Sequence, residues 1–405
     1  MNKVFNTRWL IIELIIFYCV LSSARAVCTF GQNTIIDAVL SLIVFIYFSS
    51  NNLFKFSQGT LTASFLLIIA ILWSMHGCEL HAYLGEILMV SIPLMLINLK
   101  SHKQIELLIF MSKALAIVLL ISFIAWFASF WGIQLPHTTE YLDFDYTYGV
   151  ISENYFLYRN TISLGSSGVE IIQDYYRFNG IFLEPGHTGT IVAFFLMANQ
   201  YDLSKWYNKI LLGILLITLS AAAYVLALLG YVFIMVNKKK GIKMLLYFFL
   251  ILIAISFVIN YNGGDNAINQ TIVEKLFGSG SGVQNRFTDE VKRAYDNLWA
   301  NGEFLLGASN KVNVSHSAGY KVFIIQQGLL GSFLVVMAYY FIQRAFPTKL
   351  GFFFFILVMV SFVQRVYFSW DAFLDPYILG LSNMLLTNKK ITVHSTSHVE
   401  THSLC

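Results

Sequence analysis

Residues 209–236 read KILLGILLITLSAAAYVLALLGYVFIMV, and after Asn237 come three consecutive lysines, Lys238, Lys239 and Lys240. As one helix these 28 residues would measure roughly 42 Å, longer than a bilayer core needs and short of two full spans. Charge decides between the readings. A single crossing would carry the lysine run to the outer side, whereas two short helices broken at Ser220-Ala221-Ala222-Ala223 return it inside, where retained Lys and Arg collect. The split is therefore expected.

The rest of the chain has the same apolar character. Of its 405 residues 57% are hydrophobic and 12% charged, where a soluble domain carries about a quarter charged residues, so a soluble enzyme is excluded. Five prolines and four cysteines are too few for a proline-rich or disulfide-rich class. Apolar runs of membrane length fall at 9–25, 35–54, 60–76, 82–98, 105–133, 184–200, 242–260, 318–342, 349–367 and 371–387. With the split pair they give an all-α, polytopic membrane protein of about twelve spans with its N-terminus inside. Fifteen of the 26 Lys and Arg then lie on inner segments, among them Lys55, Lys100, Lys103, Lys205 and Lys209. Residues 1–26 also have the look of a signal peptide, with Lys3 and Arg8 before an apolar core and Ala24-Arg25-Ala26 at its end.

The expected organisation is a five-helix membrane bundle over 1–133, an outer segment over 134–183, central helices over 184–260 including the broken pair, a second outer segment over 261–317, membrane helices over 318–390 and a polar cytoplasmic tail over 391–405. Both outer segments are expected to contain short helices. Cys28 and Cys78 fall in short outer loops, where a disulfide between them is possible. Asp37, Glu86, Arg365 and Asp371 sit at the outer ends of apolar runs, where ionised groups are costly and mark function or pairing.

The most informative run is Arg177-Phe178-Asn179-Gly180-Ile181-Phe182-Leu183-Glu184-Pro185-Gly186-His187, at the junction of an outer loop with an apolar helix. Pro185 suits a first helical position, and Glu184 beside it meets the positive end of the helix dipole. His187 follows on the same face, and Arg177 lies on the approach. Such a set binds an anion and exchanges a proton with a hydroxyl; equally, Glu184 caps the helix and pairs with Arg177. In a second run, Ser315-His316-Ser317-Ala318-Gly319-Tyr320, a serine is expected to cap the next helix and so place His316 at its N-terminus. Arg286, Lys292 and Arg293 upstream carry charge able to clamp phosphate.

Arg177-x-x-Gly180-x-Phe182-x-Glu184-Pro185, together with His316-Ser317 and Gly328-x-x-Gly331, resembles the Wzy-type O-antigen polymerases, which share a superfamily with the O-antigen ligases. The layout of about twelve spans with two large outer segments resembles them too. Ser220 is followed by Ala221 where ligases often carry Arg, which favours the polymerase. The resemblance implies a glycosyltransferase at the periplasmic face of the bacterial inner membrane, acting on undecaprenyl-diphosphate-linked glycan as donor and acceptor, with a chain-length regulator and a flippase as partners. It implies catalytic roles for His316 and Glu184 and substrate contacts from Arg177, Arg286, His187, Arg293 and Arg365. No cofactor, metal or nucleic acid is expected. An O-antigen ligase is the nearest alternative, and a transporter the alternative of another class.

Overall fold

The computed structural model describes residues 7–24, 26, 29, 34–76, 78, 80–130, 133, 137–146, 149–158, 162–165, 170–172, 175–176, 178–182, 184–240, 256–257, 289–308 and 319–402. The described residues are mostly helical. They form α1 (Thr7–Ser23), α2 (Thr34–Ser50), α3 (Gln58–Ser74), α4 (Leu80–Met89), α5 (Ser91–Ile97) and α6 (Ser101–Phe130), then α7 (Pro185–Ala198), α8 (Trp206–Ile217) and α9 (Ala221–Asn237). Past the central segment come α10 (Asp289–Ala300), α11 (Tyr320–Ala345), α12 (Lys349–Gln364) and α13 (Asp371–His402).

The first outer segment departs from the all-α expectation. Its backbone forms an antiparallel sheet of β1 (His137–Tyr146), β2 (Gly149–Tyr158) and β3 (Ile162–Gly165), with β4 (Glu170–Ile172) paired to β5 (Tyr175–Tyr176) beyond it. The segment is rich in Tyr, Phe, Thr and Ile, residues that favour extended backbone over short helices. At the other end of the chain α13 continues to His402, so helix replaces the expected irregular tail. The run at 82–98 is interrupted at Val90 between α4 and α5. Cys78 is a free thiol, so the bridge to Cys28 is not formed. The run at 242–260 lies outside the described residues apart from 256–257.

Helix α7 is the central pillar, and nearly every side chain along it is buried. A helix that is apolar all round belongs in the middle of a bundle. Small residues admit its neighbours: a Cβ on Gly189 would collide with Ala223 of α9, and one on Gly380 of α13 would meet Ala198 at 2.7 Å. Asn199, just past the helix, donates to Ser112 Oγ of α6 at 2.8 Å and so ties the pillar to the longest apolar helix.

The stretch with which the sequence reading began is two helices. α8 ends at Ile217, Leu219 takes a left-handed backbone (φ 47°), and Ser220 caps α9 by accepting from the Ala223 N–H. α8 starts beside Asp202, whose backbone carbonyl accepts from Asn208. α9 runs alongside α7, with Tyr201 donating to the Ala227 carbonyl at 2.9 Å. The pair is thus a hairpin that returns Lys238 to the neighbourhood of Asp202. There the carboxyl is held below its ordinary range by the Ser204 hydroxyl and, after it, by Lys205 and Lys238.

A second interruption lies inside α11, where Gly328 has φ 66° and ψ −175°. A side chain there would run into the Leu305 carbonyl, so glycine suits the bend. The groups released by the bend are taken up. Trp73 donates to the Gln327 carbonyl at 3.0 Å, Gln327 donates to the Ser74 carbonyl at 2.9 Å, and Ala308 N–H reaches the Ile325 carbonyl at 2.7 Å. Gly331 leaves room for Trp73, so the Gly328-x-x-Gly331 pattern is a docking place for the end of α3.

Among the described residues, Ser101–Ala128 and Tyr320–Ala345 are long and apolar enough to cross a membrane; shorter apolar helices include Gln58–Ser74, Ala221–Asn237 and Lys349–Gln364. The outward faces of α2 (Ile35, Val39, Leu42, Ile46) and α6 (Ile117, Ile121, Ile124) expose apolar side chains at helical spacing.

Candidate functional site

The approach to α7 is anchored before the helix starts. Phe178, Ile181 and Phe182 are fully buried, and Phe178 sits edge-on to Phe123 and Trp126 of α6. Gly180 turns the chain with φ 62°, and a Cβ there would meet Leu119 at 2.7 Å. Thr188 of α7 donates back to the Asn179 carbonyl, clamping approach and helix together. The run between Arg177 and Glu184 is therefore a tightly packed elbow that sets where Glu184 and His187 stand.

Glu184 occupies the N-cap position with Pro185 next to it, but its side chain makes no capping hydrogen bond. It pairs with the guanidinium of Arg365, which follows the last residue of α12. This corrects the capping expectation, since the carboxylate makes no cap; the expected pairing with Arg177 falls outside the described residues. Arg365 also donates from Nη1 to the Tyr367 hydroxyl at 3.2 Å, and that hydroxyl lies 3.0 Å from His187 Nε2. A guanidinium only donates, so the Tyr367 oxygen accepts from Arg365 and keeps its own proton available to the imidazole. Edge contacts from Tyr367 and Trp370, themselves stacked at 4.0 Å, fix the His187 ring.

The four groups form one connected set: Glu184, Arg365, Tyr367, His187. Glu184 is 43% exposed and Arg365 15%, so the pair is open on the carboxylate side and backed by the bundle on the other. Arg365 and the dipole of α7 both favour the ionised carboxylate. The broken helix joins the set from behind, since the Cβ position of Gly186 lies 3.6 Å from Arg365 Nη2 and 3.9 Å from Ser220 Oγ. Chemically, the arrangement can take a proton from a hydroxyl at Glu184, hold an anion beside the guanidinium, or pass a proton between phenol and imidazole.

Of the residues singled out in the sequence, Glu184, His187 and Arg365 come together here. Arg293 does not: on α10 its Nε donates to the Asp289 carbonyl of its own helix, and α10 packs chiefly against α11. Arg177, Arg286 and His316 lie outside the described residues. Helix α11 begins at Tyr320 with Gly319 at its N-cap, so neither Ser315 nor Ser317 is the capping residue. Tyr367 and Trp370 were not singled out, and their one sequence mark is proximity to Arg365 in the run Arg365-Val366-Tyr367-Phe368-Ser369-Trp370-Asp371. No family model, curated protein or solved structure matches the chain.

Proposed function

We propose that the protein is a glycosyltransferase of the bacterial inner membrane that polymerises undecaprenyl-diphosphate-linked oligosaccharide units into O-antigen or a related surface polysaccharide. The observation that carries this reading is the Glu184–Arg365 pair, joined through Tyr367 to His187, at the start of a buried helix in an apolar bundle. The membrane-length helices and exposed apolar faces support lipid as the surrounding medium. The resemblance of the arginine–glutamate–proline run to the polymerases supplies the substrate class.

In this mechanism an acceptor sugar hydroxyl attacks the anomeric carbon of the donor glycan. A new C–O bond forms, the bond to the lipid diphosphate breaks, and the electron pair leaves with the diphosphate. Glu184, kept ionised by Arg365, takes the hydroxyl proton, with His316 as the second candidate base. Arg177 and Arg286 stabilise the diphosphate, because a guanidinium fork matches phosphate oxygens and stays charged. Arg365 acts by positioning Glu184, and His187 with Tyr367 holds Arg365.

The test is deletion of the gene followed by gel analysis of lipopolysaccharide, with complementation by wild type and Glu184→Gln. A core bearing one repeat unit after deletion, and restoration by wild type but not by the amide at equal protein level, is the expected result. An unmodified core would assign the ligase reaction instead, and unchanged polysaccharide would sink the glycan reading altogether.

A further inference from the structure

Beside the Glu184 cluster lies a small cavity at the meeting of α1, α2 and α13, closed on one side by Leu88 and Ile92. Its polar wall is made of Asp37, Asp371, Ser23 and Ser41, with Cys19 at the back. Both carboxyls are more than nine-tenths buried, and Oδ1 of each has no hydrogen-bond partner among the described residues. The other Asp37 oxygen accepts from Ser22 at 3.2 Å, which fixes the carboxyl in place. Ser23 Oγ accepts from the Ala372 N–H at 3.1 Å and so locks α1 to the first turn of α13.

Among the described residues, the charge around this cavity has one sign. Asp375, Asp37 and Glu86 all act on Asp371 as like charges, and Cys19 faces the three aspartates. His187 of α7 touches Trp370, the residue before Asp371, while Arg365 is committed to Glu184. Tyr339 of α11 lies near Asp375 and is neutral in its ordinary form. No Lys, Arg or His lines the cavity among the described residues.

Asp37 and Asp371 each stand in the first turn of a helix, at the positive end of its dipole. The nearby end of α1 presents the negative pole of its own dipole and favours a cation. Two carboxylates, hydroxyl oxygens and a helix C-terminus are hard oxygen donors. Among the described residues no three His, Cys, Asp or Glu converge as a polydentate metal site would require. With no nitrogen ligand and few side-chain oxygens aimed at it, the cavity falls short of the roughly six to eight oxygens that a calcium ion takes and of the ligands a transition metal prefers, and suits one small monovalent cation.

We propose that this cavity is a binding site for a single sodium-sized cation, held between Asp37 and Asp371 with Ser41 completing the oxygen shell, and that the ion pins α2 to α13 beside the Glu184 cluster. The proposal stands apart from the glycan reading. It is tested on the full-length protein purified in detergent, by thermal unfolding at about pH 8 and fixed ionic strength in sodium, potassium or N-methylglucamine chloride. Sodium is expected to raise Tm saturably by about 2–4 °C over the other two, and the difference to vanish in Asp371→Asn and Asp37→Asn. Ser41→Ala, which adds no charge change, keeps the test open if the aspartate variants do not fold, with a several-fold weaker sodium midpoint expected. Equal stability in the three salts, stabilisation by acid with no preference for sodium, or an unaltered sodium midpoint in Ser41→Ala overturns the site.

Discussion

At the start of α7 the carboxylate of Glu184 meets a guanidinium, and phenol and imidazole groups extend the contact. One residue beyond Trp370, Asp37 and Asp371 share a cavity whose lining, among the described residues, offers no cation. The two regions lie at one end of the same bundle and are built from the same kind of group, yet among the described residues one pairs its carboxylate with a cation and the other does not. A balanced set holds its members in fixed relative positions before any substrate arrives. Carboxyls without such a partner are the kind of group on which the proposed cation would settle. The difference separates a place suited to chemistry from a place suited to an ion.

The comparison breaks most easily at Arg365. Arg365→Ala removes the partner that orients Glu184, and polymer formation in a complementation assay should fall about a hundredfold to a thousandfold at normal protein level. Polymer of ordinary length from that variant would make the balanced set ornamental. Next in size is Gly189→Ala, whose added methyl meets Ala223 and pushes the broken helix off the pillar. Its expected cost is about 1–3 kcal/mol in detergent unfolding, with activity falling alongside. Tyr367→Phe keeps the ring contacts to His187 and Trp370 while deleting two hydrogen bonds, so a loss of roughly fivefold to tenfold in rate is expected.

The smallest effect belongs to the other region. Asp375 is fully buried with neither oxygen hydrogen-bonded among the described residues. Asp375→Asn should therefore change stability by less than about 1 kcal/mol, in either direction, and leave polymer length alone. A loss comparable to that of Arg365→Ala would erase the contrast between the regions.

What could be read beforehand followed chain proximity. Glu184, Pro185 and His187 sit within four residues, and Pro185 marks the helix start. Arg365 stood out because a charge at the end of an apolar run is rare, but its partner lies 181 residues away and nothing in either segment names the other. Tyr367 and Trp370 were hidden by composition, since aromatics make up 16% of the chain. The same limit applies to Asp37 and Asp371, each visible as a charge, with their shared cavity set by how three helices meet. The strands at 137–176 had a local signal in their β-favouring residues, a weaker one than the long apolar runs on either side. The expected serine cap of α11 failed on a single residue, because Gly319, with φ 118°, takes that position from the serines before it.

The hairpin of α8 and α9 bears on how the protein is made. A helix of 12 residues measures roughly 18 Å and stops well short of a bilayer core of about 30 Å, so α8 has no stable position across the membrane by itself. Its far end abuts Gly189 of α7 through Thr218, and α9 covers the rest of that face. α7 precedes both in the chain, so the pair meets a pillar already made: Thr218, Ser220 and Ala223 all crowd the one Gly189, and α8 finds its place only together with α9.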